Sequence, residues 1–267
     1  MKYALTLFLL LVMAFPAVAE EEEEWSIWDV IEINTQEVSE AEPVIETENV
    51  IDDDGVLTAR EDFIERIIAL GKELYIQADG KSQRAHYKGD IYVCKNFTVH
   101  LFRENRDDFC IAEYPDVELK IPNNLSSEKC KPYYYGFYWE DVDAADGNPF
   151  YEAAAFRYDT KLSKEENLEL AMDFMRQVQR GDYFQMAADY YYGVGAHSAI
   201  MIADWNPETD TVRWMDSNMA GKRINGVRHG YVQFDREKSV TWWAEAFCHK
   251  RYGATIYRLR DNIVYAD

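Results

Sequence analysis

The sequence predicts an α+β domain, because signals for helices come first along the chain and signals for short antiparallel strands follow them. The chain has 267 residues, of which 48% are hydrophobic and 15% aromatic, so it has enough apolar material for a sizeable core. Its 13 glycines and 7 prolines are ordinary numbers, which excludes a collagen-like or a mostly disordered chain.

Two capping boxes predict where helices begin. Thr58 and Glu61 form the first, and apolar residues at helical spacing predict a helix that continues to about Ala78. Ser163 and Glu166 form the second. The two apolar stripes are Phe63, Ile64, Ile67, Ile68, Leu70 and Leu74 in the first helix and Leu168, Ala171, Met175 and Val178 in the second. We expect both stripes to face the core.

Strand patterns begin at residue 183, where short apolar and β-branched runs replace the helical spacing. The predicted strands cover residues 183–188, 198–203, 211–216, 231–234 and 254–259. A helix at about 237–249 interrupts them, and its side chains expected to face inward are Trp242, Trp243, Ala246 and Phe247. Residues 105–160, rich in Tyr and Pro, are expected to form an irregular insertion.

The first nineteen residues have the pattern of a signal peptide that is cleaved on export. Lys2 is followed by an apolar run, and Ala17 and Ala19 supply the small residues that a signal peptidase requires. The run is shorter than the roughly 20 residues that cross a bilayer, so we expect no stable membrane span. A secreted or periplasmic location follows from this interpretation.

Most of the acidity lies in residues 20–56, which contain fifteen Asp or Glu and neither Lys nor Arg. This segment is predicted to be a flexible acidic linker, and a docking peptide that uses Trp25, Ile27 and Trp28 is the alternative. The domain at 57–267 carries only -7 of the net charge of -21. The acidity argues against a general nucleic-acid binder, which needs clustered Lys and Arg.

Export would permit disulfides among the four cysteines of the chain. Cys110 and Cys130 flank a loop-like stretch and are the expected pair, which leaves Cys94 and Cys248. An alternative is a bond between Cys94 and Cys248.

Cys94 is the first residue singled out for chemistry. Gly89-Asp90 breaks the chain before it, and the apolar residues after it repeat at helical spacing, so we expect Cys94 in the first turn of a helix. The amides and the dipole at a helix start, equivalent to roughly half a positive charge, favour a thiolate and could stabilise an oxyanion. The competing interpretation is a small buried hydrophobic residue.

His197, Asp216 and Asn218 form the second candidate group. His197 follows a glycine-rich turn at the start of a predicted strand, while Asp216 and Asn218 share one face of the next strand because side chains alternate. If the two strands form an antiparallel hairpin, positions that sum to about 415 lie opposite each other. His197 then faces Asn218, with Asp216 one diagonal step away. The competing interpretations are a surface histidine and a turn at the strand end.

These segments together resemble the CHAP (cysteine, histidine-dependent amidohydrolase/peptidase) and NlpC-type families. The resemblance lies in Gly181-Asp182 before a strand, in the small and apolar residues around His197, and in Asp216-Ser-Asn218, which matches a Glu-x-Asn pattern with Asp in place of Glu. The segment around Cys94 resembles the families' nucleophile segment. Over about residues 60–260, the resemblance implies a papain-like fold with N-terminal helices packed on an antiparallel sheet.

The resemblance also implies a function. Cys94 would be the nucleophile and His197 the general base and then acid, while Asp216 or Asn218 would orient the imidazole. Tyr87 would correspond to a tyrosine that assists the oxyanion site in NlpC-type members, and the competing interpretation is a packing tyrosine. The expected activity is that of an exported cysteine peptidase or amidase acting on peptides such as those of the cell wall. The alternative is a catalytically inactive papain-like domain that binds a peptide or a glycan.

No cofactor or metal is expected, because the sequence has no zinc-ligand spacing, phosphate loop or dinucleotide-binding motif. The oligomeric state stays open.

Overall fold

The computed structural model describes residues 57–84, 94–120, 143–186, 197–249 and 253–267. The predicted signal peptide and acidic linker lie outside the described residues. Tyr87 and Cys130 lie outside them as well.

The helices of the described chain are α1 (Ala59–Ala78), α2 (Cys94–Arg103), α3 (Lys164–Met175) and α4 (Val240–Phe247). Both predicted capping boxes are formed: Thr58 and Glu61 cap α1, and Ser163 and Glu166 cap α3. In each box the hydroxyl accepts the backbone N–H of the glutamate, and the glutamate side chain accepts the backbone N–H of the first residue. None of the helices in these ranges is long and apolar enough to cross a membrane.

An antiparallel sheet forms the middle of the domain. The strands are β1 (Gln83–Arg84), β2 (Phe109–Ile111), β3 (Phe150–Arg157), β4 (Tyr183–Met186), β5 (His197–Met201), β6 (Thr211–Ile224), β7 (Val227–Ser239), β8 (Gly253–Leu259) and β9 (Ile263–Tyr265). Seven of them pair in the order β1-β7-β6-β5-β4-β8-β3, and β2 pairs with β9 in a small second sheet. The predicted α+β class is therefore confirmed.

Each face of the sheet packs against two helices, because neighbouring side chains of a strand point to opposite faces. Tyr183 and Ile200 join α1 and α2 in one apolar cluster. Their neighbours Phe184 and Ala199 join α3 and α4 in the other. The domain thus has three layers, with helices above and below the sheet.

The structure corrects two expectations about the strands. Residues 150–157 lie in the range expected to be irregular, but they form β3 and pair with β8 at the edge of the main sheet. β6 and β7 are far longer than predicted and meet at a turn in which Asn225 and Gly226 have φ of 52° and 77°. Asn-Gly with positive φ at both residues is the preferred two-residue hairpin turn.

Candidate active site

Cys94 is the first residue of α2. The helix is anchored by Phe97, Leu101 and Phe102, which are buried in the core cluster that covers the sheet. Because these side chains fix the helix, its first residue has a defined position, and Cys94 is half-buried there. The predicted location in the first turn of a helix is confirmed.

The register predicted for β5 and β6 is also confirmed. Ile200 pairs with Met215 and Met201 with Trp214, so opposite positions sum to 415. The same register brings His197 beside Asp216, and the ring nitrogen Nε2 lies 2.9 Å from Oδ2 of the carboxylate. Both side chains are almost completely buried, with 2% and 1% exposure.

Asp216 is the acceptor of three hydrogen bonds at one oxygen. Besides the imidazole, Trp214 Nε1 donates to Oδ2 over 2.8 Å, and Asn218 Nδ2 donates over 3.1 Å. Asn218 therefore orients the carboxylate, while Asp216 holds the imidazole. Trp214 is a contributor that the sequence prediction missed, although its position two residues before Asp216 on the same face was the available signal.

The imidazole also interacts electrostatically with Cys94. Burial would lower the pKa of His197, but hydrogen bonds with Asp216 and Cys94, together with the negative charges of both, raise the pKa to about 9. Burial would raise the pKa of Asp216, but the hydrogen bond and the charge of His197 outweigh it and lower that pKa, with help from the charge of Arg236. A hydrogen bond thus joins the ring to the carboxylate, and the sulfur of Cys94 interacts electrostatically with the same ring.

Aromatic rings close one side of this group. The indole of Trp243 on α4 lies 6.3 Å from the imidazole of His197 and nearly parallel to it. Trp214 packs edge-on against Trp243 with ring centroids 4.8 Å apart. The imidazole is therefore shielded from solvent on that side, which strengthens its interaction with Asp216.

The Gly181-Asp182 pair supports the sheet and not the chemistry. Gly181 has φ of 85°, and a Cβ there would lie 2.6 Å from the side chain of Ile64. Asp182 is fully buried and accepts both Nε and Nη2 of Arg258, each over 2.8 Å, and the backbone N–H of Gln179 over 2.7 Å. These bonds fasten the turn before β4 to β8.

The cysteines do not form the predicted disulfide. Cys110 is a buried thiol whose sulfur donates to the backbone oxygen of Tyr265 over 3.7 Å, so the expected Cys110–Cys130 bond is wrong for this structure. Cys248 is also a thiol, and so is Cys94, which overturns the alternative bond between them. Burial raises the pKa of both Cys110 and Cys248.

Across the described ranges, no group of three or more His, Cys, Asp or Glu side chains is arranged to hold a metal ion. Comparisons with protein-family models, curated proteins and solved structures found no match to this chain. The site must therefore be interpreted from its own geometry.

Proposed function

We propose that this chain is a papain-like cysteine hydrolase that cleaves an amide bond. Cys94 is the nucleophile, His197 is the general base and then the general acid, and Asp216 orients the imidazole. The observation that carries the proposal is the buried hydrogen bond between His197 and Asp216, together with the electrostatic interaction of the same ring with Cys94 at the start of α2. Nucleophilic catalysis by a thiol requires a nucleophile, a general base and a group that orients the base, and these are the three roles assigned here.

The charges of the group suit the first chemical step. With a pKa of about 9, His197 holds a proton at neutral pH, and an imidazolium beside the sulfur stabilises a thiolate. The thiolate attacks the carbonyl carbon of the substrate, and the C–N bond breaks as the proton of His197 passes to the leaving nitrogen. His197 then takes a proton from a water molecule, whose oxygen attacks the thioester and releases Cys94.

The backbone around Cys94 supplies the second requirement, a donor for the oxyanion. The backbone N–H groups in the first turn of a helix have no acceptor within the helix. Together with the helix dipole, they favour a negative charge placed at the helix start. The N–H of Cys94 belongs to this turn of α2. A donor at that place would stabilise the oxyanion of the tetrahedral intermediate that forms when the sulfur adds to the carbonyl carbon.

The substrate class rests on the resemblance to the CHAP and NlpC-type families. We propose a peptide amide, such as one in cell-wall peptides, and a secreted or periplasmic location for the protein. Hydrolysis of purified cell-wall fragments by the wild type and by Cys94→Ser tests the activity, with Cys110→Ser as the control that removes a buried thiol outside the site. Equal hydrolysis by the wild type and Cys94→Ser would contradict the nucleophile assignment.

Alkylation tests the same cysteine without a known substrate. Iodoacetamide near pH 7 should modify Cys94 faster than Cys110 or Cys248, because Cys94 is half-buried and lies beside a charged imidazole, whereas burial raises the pKa of the other two thiols. Peptide mass mapping after short exposure gives the site of each modification. Rapid alkylation without hydrolysis of any amide would favour the inactive, ligand-binding alternative.

A further inference from the structure

The hairpin that carries Asp216 contains a bulge directly beside this residue. Trp214 of β6 pairs with Arg236 of β7. Two positions further along β6, Asp216 pairs with Gln233, so one residue of β6 lies opposite two of β7. One of the two is Asp235, whose φ of 58° lies in the left-handed region. This conformation is uncommon outside glycine, and bulges next to functional sites often re-aim side chains.

The bulge places Arg236 and Gln233 on the same face of the sheet. In a regular strand, side chains three positions apart point to opposite faces. The extra residue of β7 removes that alternation, and Nη1 of Arg236 donates to the amide oxygen of Gln233. The carboxylate of Asp235 bonds to Arg213 through both oxygens, each over 2.7 Å, so its charge is already balanced by a different cation.

The guanidinium of Arg236 lies over the indole of Trp214. Its central carbon is 5.1 Å from the ring centroid, within the range in which a cation is attracted to an aromatic face. Trp242 stacks on the same indole with ring centroids 5.9 Å apart, and Trp243 packs against it edge-on. Three side chains therefore hold the ring of Trp214, which is almost completely buried.

The indole N–H connects this packing to the candidate site. Nε1 of Trp214 donates to Oδ2 of Asp216 over 2.8 Å, and the same oxygen lies 2.9 Å from Nε2 of His197. Burial would raise the pKa of Asp216, but the hydrogen bond and the charge of His197 lower it. The charge of Arg236 and the hydrogen bond of Trp214 act in the same direction. The cation, the indole and the imidazole thus all favour the ionised carboxylate.

We propose that Arg236 is a positioning residue for the pair formed by Asp216 and His197, and that it acts through the indole of Trp214. This role rests on the function proposed above. The positive charge attracts the ring face, which fixes the plane of the indole, and it polarises the ring, which strengthens the N–H as a donor to the carboxylate. A purely structural role would need only the apolar stem of the arginine, which can cover an aromatic ring without any charge.

Arg236→Met tests the proposal because methionine keeps an unbranched apolar stem and removes the charge. We expect the indole N–H of Trp214 to exchange with solvent about tenfold faster, as followed by NMR with labelled tryptophan, because the ring is held less firmly. The carboxyl carbon of Asp216, followed with labelled aspartate, should titrate at a higher pH than in the wild type. Arg236→Lys keeps a cation at this position and should restore most of both signals.

Lys238→Gln is the matched control. It removes one positive charge from the same strand, at the pair with Val212, which is two residues further from Asp216 along β6. This variant should leave the exchange rate and the titration as in the wild type.

A double variant decides whether the arginine acts through the indole. Arg236→Met combined with Trp214→Phe should raise the pKa of Asp216 by less than the sum of the two single changes, since both remove the same interaction. Additive changes would overturn the proposal. Unchanged exchange and titration in a folded Arg236→Met, or in Arg236→Gln should the methionine variant not fold, would overturn it as well.

The reactivity of Cys94 separates this proposal from the function on which it rests. Arg236→Met should slow the alkylation of Cys94 at pH 7 by about threefold or more, because a displaced carboxylate no longer orients the imidazole. Unchanged alkylation in this variant would overturn the positioning role. A wild-type Cys94 that reacts no faster than in the urea-unfolded chain would instead refute the proposed function, and the NMR signals of Trp214 and Asp216 would still decide the role of Arg236.

Discussion

Replacing Asp216 with asparagine should lower the pKa of His197 and leave fewer of the rings protonated at pH 7. The variant keeps the shape of the side chain but removes the buried charge that, together with Cys94, raises the pKa of His197 from 6.5 to about 9. At pH 7 the wild-type ring is about 99% protonated. In the variant, burial continues to lower that pKa and Cys94 alone raises it, so a smaller fraction of the rings should be protonated.

The same change should alter how stability depends on pH. Because the pKa of His197 is higher in the folded chain than in the unfolded one, its contribution to the free energy of unfolding is complete below about pH 6.5 and is lost as the pH rises through about 9. The contribution is roughly 3 kcal/mol, from the size of the pKa change. Urea unfolding at pH 6.5 and pH 9 should show this loss in the wild type and much less of it in Asp216→Asn.

The titration of His197 itself can be followed by NMR with labelled histidine, alongside the rate of Cys94 alkylation as a function of pH. Asp235→Asn is the matched control: Asp235 lies in the same hairpin, but its carboxylate bonds to Arg213 at 2.7 Å and not to the site. If His197 titrates alike in the wild type and in Asp216→Asn, the proposed electrostatic coupling between ring and carboxylate is refuted.

Two further variants test the scaffold that holds the site. Ser163→Ala should lower the free energy of unfolding by about 1 kcal/mol, because it removes the side-chain acceptor at the start of α3, and Ser163→Asp should restore most of the loss. Arg258→Ala should destabilise the fold by about 3 kcal/mol at pH 7, since it leaves the carboxylate of Asp182 buried without its cation. The destabilisation should shrink at lower pH, where Asp182, whose pKa burial raises despite Arg258, becomes protonated. Urea unfolding measures the free energy of unfolding of both variants. A variant as stable as the wild type would contradict the prediction made for it.

Local signals account for the parts of the fold that could be predicted from the sequence. Thr58 and Ser163 cap helices because a capping box needs only four consecutive residues. The pairing of His197 with Asp216 needed only the alternation of side chains and a short connection between two strands. Each of these features depends on residues close together in sequence, so a pattern in one chain is sufficient to find them.

Other features depend on partners that are distant in the chain. β3 contains three alanines and a glutamate, residues with little preference for strands, and it forms because β8 provides its hydrogen bonds. The extension of β6 and β7 depends on their pairing with each other across the Asn225-Gly226 turn. The hydrogen bonds at Gln185 join side chains of β4 and β5 that no local pattern links, and so they were not predicted.

The candidate site depends both on contacts between residues close in sequence and on contacts between distant parts of the chain, and the two respond differently to a structural change. The bond between His197 and Asp216 is set by the register of β5 and β6, whereas the contact of His197 with Cys94 depends on how α2 packs on the sheet. A register slip by one residue would turn His197 to the opposite face and destroy the group at once. A shift of α2 would instead separate the sulfur from an intact pair of imidazole and carboxylate. Catalysis by the proposed group would therefore require a rigid attachment of α2, and the buried side chains of Phe97, Leu101 and Phe102 are what attach it to the sheet.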